Sequence, residues 1–169
     1  ALEYYTKEIE LNPSFAIAYS NRAYLYANHL QDLDKALEDY NKAVSVDPKN
    51  SINYEKRGDF YSDYLNDYDK ALEDYNKGIE LNPTDPNLHF LKGRVYHVYL
   101  DKPDLALKSY LEVVKLYPNY GVYNNLAGIY EDYIKDYQKA LEYYTEEIEL
   151  NPSFAHTYRN RADLCKDCE

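Results

Sequence analysis

Apolar residues return along this chain at helical spacing. Tyr19, Ala23, Tyr26 and Leu30 stand at steps of four, three and four, which is one face of a helix. Ala36, Tyr40 and Ala43 make the facing stripe of a second helix. Both stripes then recur. Pro13, Pro48, Pro83, Pro118 and Pro152 each close a similar phrase, and they step by 35, 35, 35 and 34 residues. The pairs Ala36-Leu37, Ala71-Leu72, Ala106-Leu107 and Ala140-Leu141 keep that step. A fixed period of this size means stacked helix pairs, each burying its apolar face against the next. The pattern predicts first helices over 14–30, 50–65, 86–100, 120–134 and 154–168. Second helices fall over 1–12, 33–46, 68–81 and 137–150, with a further one from Pro103.

The anchors of each copy carry a resemblance. They read Tyr19, Arg22-Ala23, Tyr26, Ala36, Tyr40 and Pro48, then Tyr54, Arg57-Gly58, Tyr61, Ala71, Tyr75 and Pro83. The next two copies read His89, Lys92-Gly93, Tyr96, Ala106, Tyr110 and Pro118, then Tyr123, Leu126-Ala127, Tyr130, Ala140, Tyr144 and Pro152. This resembles the tetratricopeptide repeat, in a 35-residue variant. The resemblance implies an all-α fold, a right-handed α-solenoid of antiparallel helix pairs. It implies one segment over 1–169, with full repeats at 14–48, 49–83, 84–118 and 119–152 and half repeats at 1–13 and 153–169. One extra residue lies between the Tyr61 and Ala71 slots of every copy, so the first helix or its turn is expected to lengthen. The fourth copy loses a residue after Pro118. Pentatricopeptide repeats, which read RNA, share the period of 35, but the Ala-x-x-x-Tyr and Pro anchors and the charge argue against them.

Local chemistry refines the pairs. Ser14 is an expected N-cap, as is Asp85 before Pro86, and Pro103 suits the first turn of its helix. Ala23 against Ala36, and Gly58 against Ala71, predict close backbone approach. The slot of Arg57 holds Arg22, Arg57, Lys92 and Leu126, while that of Asp74 holds Asp39, Asp74, Ser109 and Tyr143. Arg accompanies Asp twice and Leu accompanies Tyr, so these slots are expected to touch as a partly buried ion pair exchangeable for an apolar one. Residues 1–16 repeat 140–155 with one change, Lys7 for Glu146, which reads as a recent duplication.

The formal net charge is −11 and the pI about 4.8. A surface that neutralises phosphates needs Lys and Arg in excess, so no nucleic-acid partner is expected. No apolar run is long enough to insert in a membrane. The first residue is not Met and no leader is legible, so a segment of a longer protein is expected. Each Asn-x-Ser/Thr site, at Asn12, Asn82 and Asn151, is blocked by proline. Two cysteines exclude a disulfide scaffold and lean towards a reducing compartment, the cytoplasm. Cys165-Lys166-Asp167-Cys168 supplies two metal ligands where a structural zinc site needs four. Cys165 falls in the Tyr26 slot and reads as a core substitution, and His29 and His89 read as packing. The acid pairs Glu38-Asp39, Glu73-Asp74 and Glu146-Glu147 read as a solvated face. No phosphate loop, catalytic triad, metal cluster or cofactor motif is present, so no enzyme and no cofactor is expected.

The resemblance places a concave groove along the first helices. Its candidate peptide-binding residues are Asn21, Tyr24, Lys56, Asp59, Phe90, Arg94, His97, Asn125, Glu131 and Asn160. Asn21, Asn125 and Asn160 share one slot, an incomplete asparagine ladder able to donate to and accept from a peptide backbone. The clamp by which some family members hold the C-terminal carboxylate of heat-shock chaperones is not expected, because its slots hold Ser20, Tyr24, Lys56, Asn87 and Leu91. The expected function is a non-catalytic protein-interaction scaffold for a protein or peptide partner, and the tyrosines, Phe90 and acids suit an extended peptide with apolar and basic residues. The alternative is a structural segment that associates head to tail through its terminal helices.

Overall fold

The computed structural model describes residues 1–167. Among them every regular element is helical: α1 (Leu2–Leu11), α2 (Ala16–Leu25), α3 (Leu33–Val46), α4 (Ser51–Asp63), α5 (Tyr68–Leu81), α6 (Pro86–Arg94), α7 (Pro103–Leu116), α8 (Tyr123–Ile129), α9 (Tyr137–Leu150) and α10 (Ala155–Asp167). The second helices of the pairs start and stop where the apolar stripes do. No helix is long and apolar enough to cross a membrane, among the described residues.

The extra residue is absorbed as a change of helix pitch in three of the four copies, while α4 stays α-helical to Asp63 and takes it up in the turn that follows. Three first helices end in a π-helical turn, at Tyr26–Leu30, Val95–Tyr99 and Tyr130–Ile134. Each link then passes through a left-handed residue, Gln31 (φ 55°), Asn66 (φ 52°), Asp101 (φ 50°) or Lys135 (φ 62°). In all four copies the carbonyl of the anchor tyrosine, Tyr26, Tyr61, Tyr96 or Tyr130, accepts from the amide six residues on, at 2.8–3.0 Å. The wider turn rotates Leu30 off the apolar face, and it is 53 % exposed rather than packed. Asp32, Asp67 and Asp136 then cap the second helices by accepting from Lys35, Lys70 and Lys139 amides. Lys35 and Lys70 also reach over the Tyr26 and Tyr61 rings.

Two compact units divide the chain, Ala1–Leu88 and His89–Glu169. In the first, α2 packs on α3 and α4 on α5, with Ala23, Ala36, Tyr40 and Phe60 in one buried cluster. The close approach at Gly58 is to a ring as well as a backbone. A Cβ there would lie 2.7 Å from Tyr75 Cε1 and 3.3 Å from the Ala71 carbonyl. The expected ion pairs are formed and bidentate. Arg22 Nε and Nη2 donate to Asp39 at 2.7 and 2.8 Å, and Arg57 Nε and Nη2 to Asp74 at 2.8 and 2.7 Å. Each arginine also donates Nη1 to the second helix of the preceding pair, Arg22 to Thr6 and Arg57 to Asn41.

In the second unit Tyr110, Val113, Val122, Leu126 and Ile129 form the buried cluster, with Tyr143 packed against it. Leu126 and Tyr143, in the slots that Arg57 and Asp74 fill, thus belong to one apolar cluster. The shortened junction after Pro118 turns through Gly121 at φ 80°, a conformation that suits glycine. Helix α8 has no capping side chain of its own. Glu147, fully buried on α9, accepts instead from the amides of Tyr123 (3.1 Å) and Asn124 (3.3 Å) and from Asn151 Nδ2 (2.8 Å), a carboxylate at the positive end of a helix.

Four expectations are corrected. Ser14 caps nothing: its amide and hydroxyl both go to Asn12 Oδ1, and Phe15 stands at the helix start without a side-chain bond. Of the acid pairs only Glu38, Glu73 and Glu146 are exposed, while Asp39, Asp74 and Glu147 are buried by the partners just named. Cys165 is exposed, no described helix packing over it, and Leu164 is the buried neighbour. Cys168 lies outside the described residues. His29 is exposed at the end of its π-turn, edge-on to Tyr24.

Candidate functional site

Each unit carries a cavity lined by first-helix residues. The first unit has a cleft of about 540 Å³ between α2 and α4, with α3 closing its floor. Its rim is apolar because Ile17 and Tyr24, two turns apart on α2, and Ile52 at the start of α4 point outward. They are 54, 55 and 55 % exposed. Tyr40 and Phe60 form the floor, their ring centroids 5.2 Å apart, and Tyr64 stacks on Phe60 at 5.5 Å. The Tyr64 hydroxyl donates to Asn28 Oδ1, tying the end of α4 to the π-turn after α2. Asn21, Tyr24, Lys56 and Asp59, four of the expected groove residues, all line this cleft.

Its charges are unequal in setting. Lys56 Nζ is held by Glu55 at 2.8 Å. Asp59 is half-buried and accepts from the Tyr75 hydroxyl at 2.9 Å. Burial pushes the Asp59 carboxyl up to about 6; Glu55 and Asp63 add to the rise, while Tyr75 and Lys56 oppose it. Burial also raises the Tyr40 hydroxyl well above its ordinary range.

The second cavity, about 380 Å³, brings together His97, Asn125, Glu131 and Asn160, with Asp132 and Asp163 at its edge. Tyr144 donates to Glu131 Oε2 at 2.7 Å. Asn160 Nδ2 donates to Asn124 Oδ1 at 3.2 Å. Burial lowers the His97 pKa, partly offset by Asp132 and Asp101. Phe90 and Arg94 line neither cavity. Phe90 packs on Tyr110 and Tyr120 at 5.9 and 5.7 Å; burial raises the Tyr110 hydroxyl well above its ordinary range, and half-buried Arg94 only partly offsets that rise.

Sequence reasoning missed Asn28, Phe60 and Tyr64 as cleft residues. Asn28 and Tyr64 lie beyond the anchor tyrosine, where the extra residue per copy was the signal that the helix end is irregular, while Phe60 carried no signal beyond being apolar. Among the described residues no group of His, Cys, Asp and Glu could hold a metal ion.

Helices paired through short links, repeated with one set of anchors, define an α-helical repeat protein. Family models described as tetratricopeptide repeats match residues 16–50, 64–97 and 96–153, together most of the sequence. The chain belongs to the tetratricopeptide repeat family. Solved structures agree on the fold, an all-α solenoid of helix pairs. YrrB, described as a tetratricopeptide protein with an unusual peptide-binding site, is 26 % identical over 97 % of this chain and 83 % of its own, with a TM-score of 0.74. MamA is 18 % identical over 92 % of this chain and 89 % of its own, TM-score 0.77. The first tetratricopeptide domain of Spaghetti (RPAP3), bound to the HSP90 peptide SRMEEVD, is 20 % identical over 72 % of this chain and 95 % of its own, TM-score 0.65. No curated protein matches the sequence.

Proposed function

We propose that this chain is a non-catalytic protein-interaction scaffold, and that its working surface is the face of its first helices, holding an extended peptide or a partner helix. The observation that carries the reading is the α2–α4 cleft. Three apolar side chains there are more than half exposed around an aromatic floor, and a soluble surface leaves such a patch open at a cost unless something docks on it. Solved relatives of the fold include one with a peptide-binding site and one holding a peptide. On this reading the repeats at 14–48, 49–83, 84–118 and 119–152 all belong to the scaffold, and the second unit has a candidate surface of its own at His97, Asn125, Glu131 and Asn160.

Affinity capture tests it. The chain is compared with an Asn21→Ala, Tyr24→Ala variant of unchanged helicity. The expected result is a partner recovered by the first and lost at least tenfold by the second, since contact aromatics are the usual hot spots, worth about 2 kcal/mol or more. Equal recovery by both would place the partner elsewhere. A second reading, self-association, is favoured by α1, where Tyr4 and Leu11 are 63 and 77 % exposed on a helix that repeats the α9 sequence. A mass that rises with concentration in sedimentation would support it, and an invariant monomer would exclude it.

A further inference from the structure

We propose that the α2–α4 cleft selects a segment carrying a lysine or arginine beside a bulky apolar residue, the cation seated on Asp59 and the apolar side chain held among Ile17, Tyr24 and Ile52. This rests on the reading of the cleft as the peptide seat, and names what occupies it.

The geometry separates the two halves of such an occupant. The rim is apolar and exposed. Behind it stands a carboxylate that the protein itself leaves short of cations. Lys56, the nearby ammonium, is drawn onto Glu55. Tyr75 supplies Asp59 with one hydroxyl donor through Oδ1, and among the described residues no other hydrogen bond reaches this carboxylate. The comparable acid in the second unit, Glu131, is likewise met by a tyrosine hydroxyl, from Tyr144, but its cavity has no exposed aliphatic rim. A carboxylate half out of water and paired with one neutral donor is under-satisfied. An incoming ammonium or guanidinium completes it with a charge-assisted bond in a partly desolvated site. The net charge of −11 favours the approach of such a segment.

Proton linkage gives the proposal a signature. The groups facing Asp59 are Glu55, Lys56 and Asp63 from α4 and Tyr75 from α5, with Tyr24, Tyr40 and Tyr64 around the same space. In the free protein the Asp59 carboxyl takes up its proton near pH 6. A bound cation lowers that pKa, so binding releases a proton. Affinity therefore rises as pH climbs from about 4 to about 6 and levels off above about 7.

The test uses fluorescein-labelled heptapeptides with Phe fixed at the centre and Lys, norleucine or Glu beside it, titrated by anisotropy at constant salt between about pH 5 and about pH 8. The Lys peptide is expected to bind the unmodified chain about tenfold more tightly at the upper pH than at the lower one, the free carboxyl being only about one-tenth ionised at pH 5. It should also outbind the norleucine peptide, with the Glu peptide weakest. Asp59→Asn should erase the Lys preference and the pH dependence while leaving norleucine binding in place. Equal binding of Lys and Glu peptides, or a pH dependence that survives Asp59→Asn, overturns the assignment of Asp59 while the cleft reading stands. Failure of all three peptides, or binding unaffected by Tyr24→Ala, overturns the cleft itself.

Discussion

Asp59 shows how one residue in this chain can oppose folding and favour binding. Its carboxyl is raised to about 6 in the folded state, with burial the largest cause, against an ordinary value near 3.8. The sign follows from proton counting: between those values the folded state holds more protons than the unfolded one, so this residue's contribution to stability falls as pH rises through the interval and stays low above about pH 7. Asp59→Asn is therefore expected to stabilise the chain at pH 7, by about 1–2 kcal/mol after allowance for partial exposure, and to give no gain near pH 4. Paired urea melts of the two chains check this. A gain at both pH values, or a loss at pH 7, would contradict the desolvated carboxylate. Asp39, Asp74 and Glu147 also depart from the surface preference of acids, but each is buried with named donors that satisfy it.

At the scale of helices, Arg57 is the joint. It binds Asp74 within its own pair and Asn41 on the preceding one, as Arg22 binds Asp39 and Thr6. Arg161 repeats the link to Thr145 at 3.5 Å. The chain contains its own control, since the fourth copy has Leu126 and Tyr143 in these slots and packs them in the core. Arg57→Leu alone is expected to cost about 3–5 kcal/mol by stranding a buried Asp74, while Arg57→Leu with Asp74→Tyr recovers most of it. A double-mutant cycle on chemical unfolding measures the coupling, and zero coupling contradicts the pairing. This joint was legible because the repeats serve as an internal comparison: which residues change together is visible in four copies. The second-helix bounds were legible because their stripes are unbroken. The π-turns were not, because one added residue can lengthen a helix, a loop or a pitch, and only the backbone bonds that close the three π-turns, to the carbonyls of Tyr26, Val95 and Tyr130, decide among them. Glu147 was unreadable for a related reason. Its partners are amides exposed by a residue lost elsewhere, and an acid beside Glu146 on a helix looks solvated until the fold removes the water. Of the expected groove residues, Phe90 illustrates the limit of register. Its slot is right for a groove, but Tyr120 on the shortened junction closes over it.

At the scale of the molecule, the chain is a tetratricopeptide protein with a strongly acidic balance and with aromatic chemistry concentrated in repeated slots. Its anchors account for the fold, and the residues that differ between copies account for where the cavities form. The account's central claim is that partners are held in the α2–α4 cleft. The most direct measurement is photocrosslinking with p-benzoylphenylalanine placed at Tyr24, on the rim, or at Lys77, exposed on α5 and outside the cleft. The account predicts a partner crosslinked from position 24 and not from position 77. A partner crosslinked from 77 and never from 24 would contradict it.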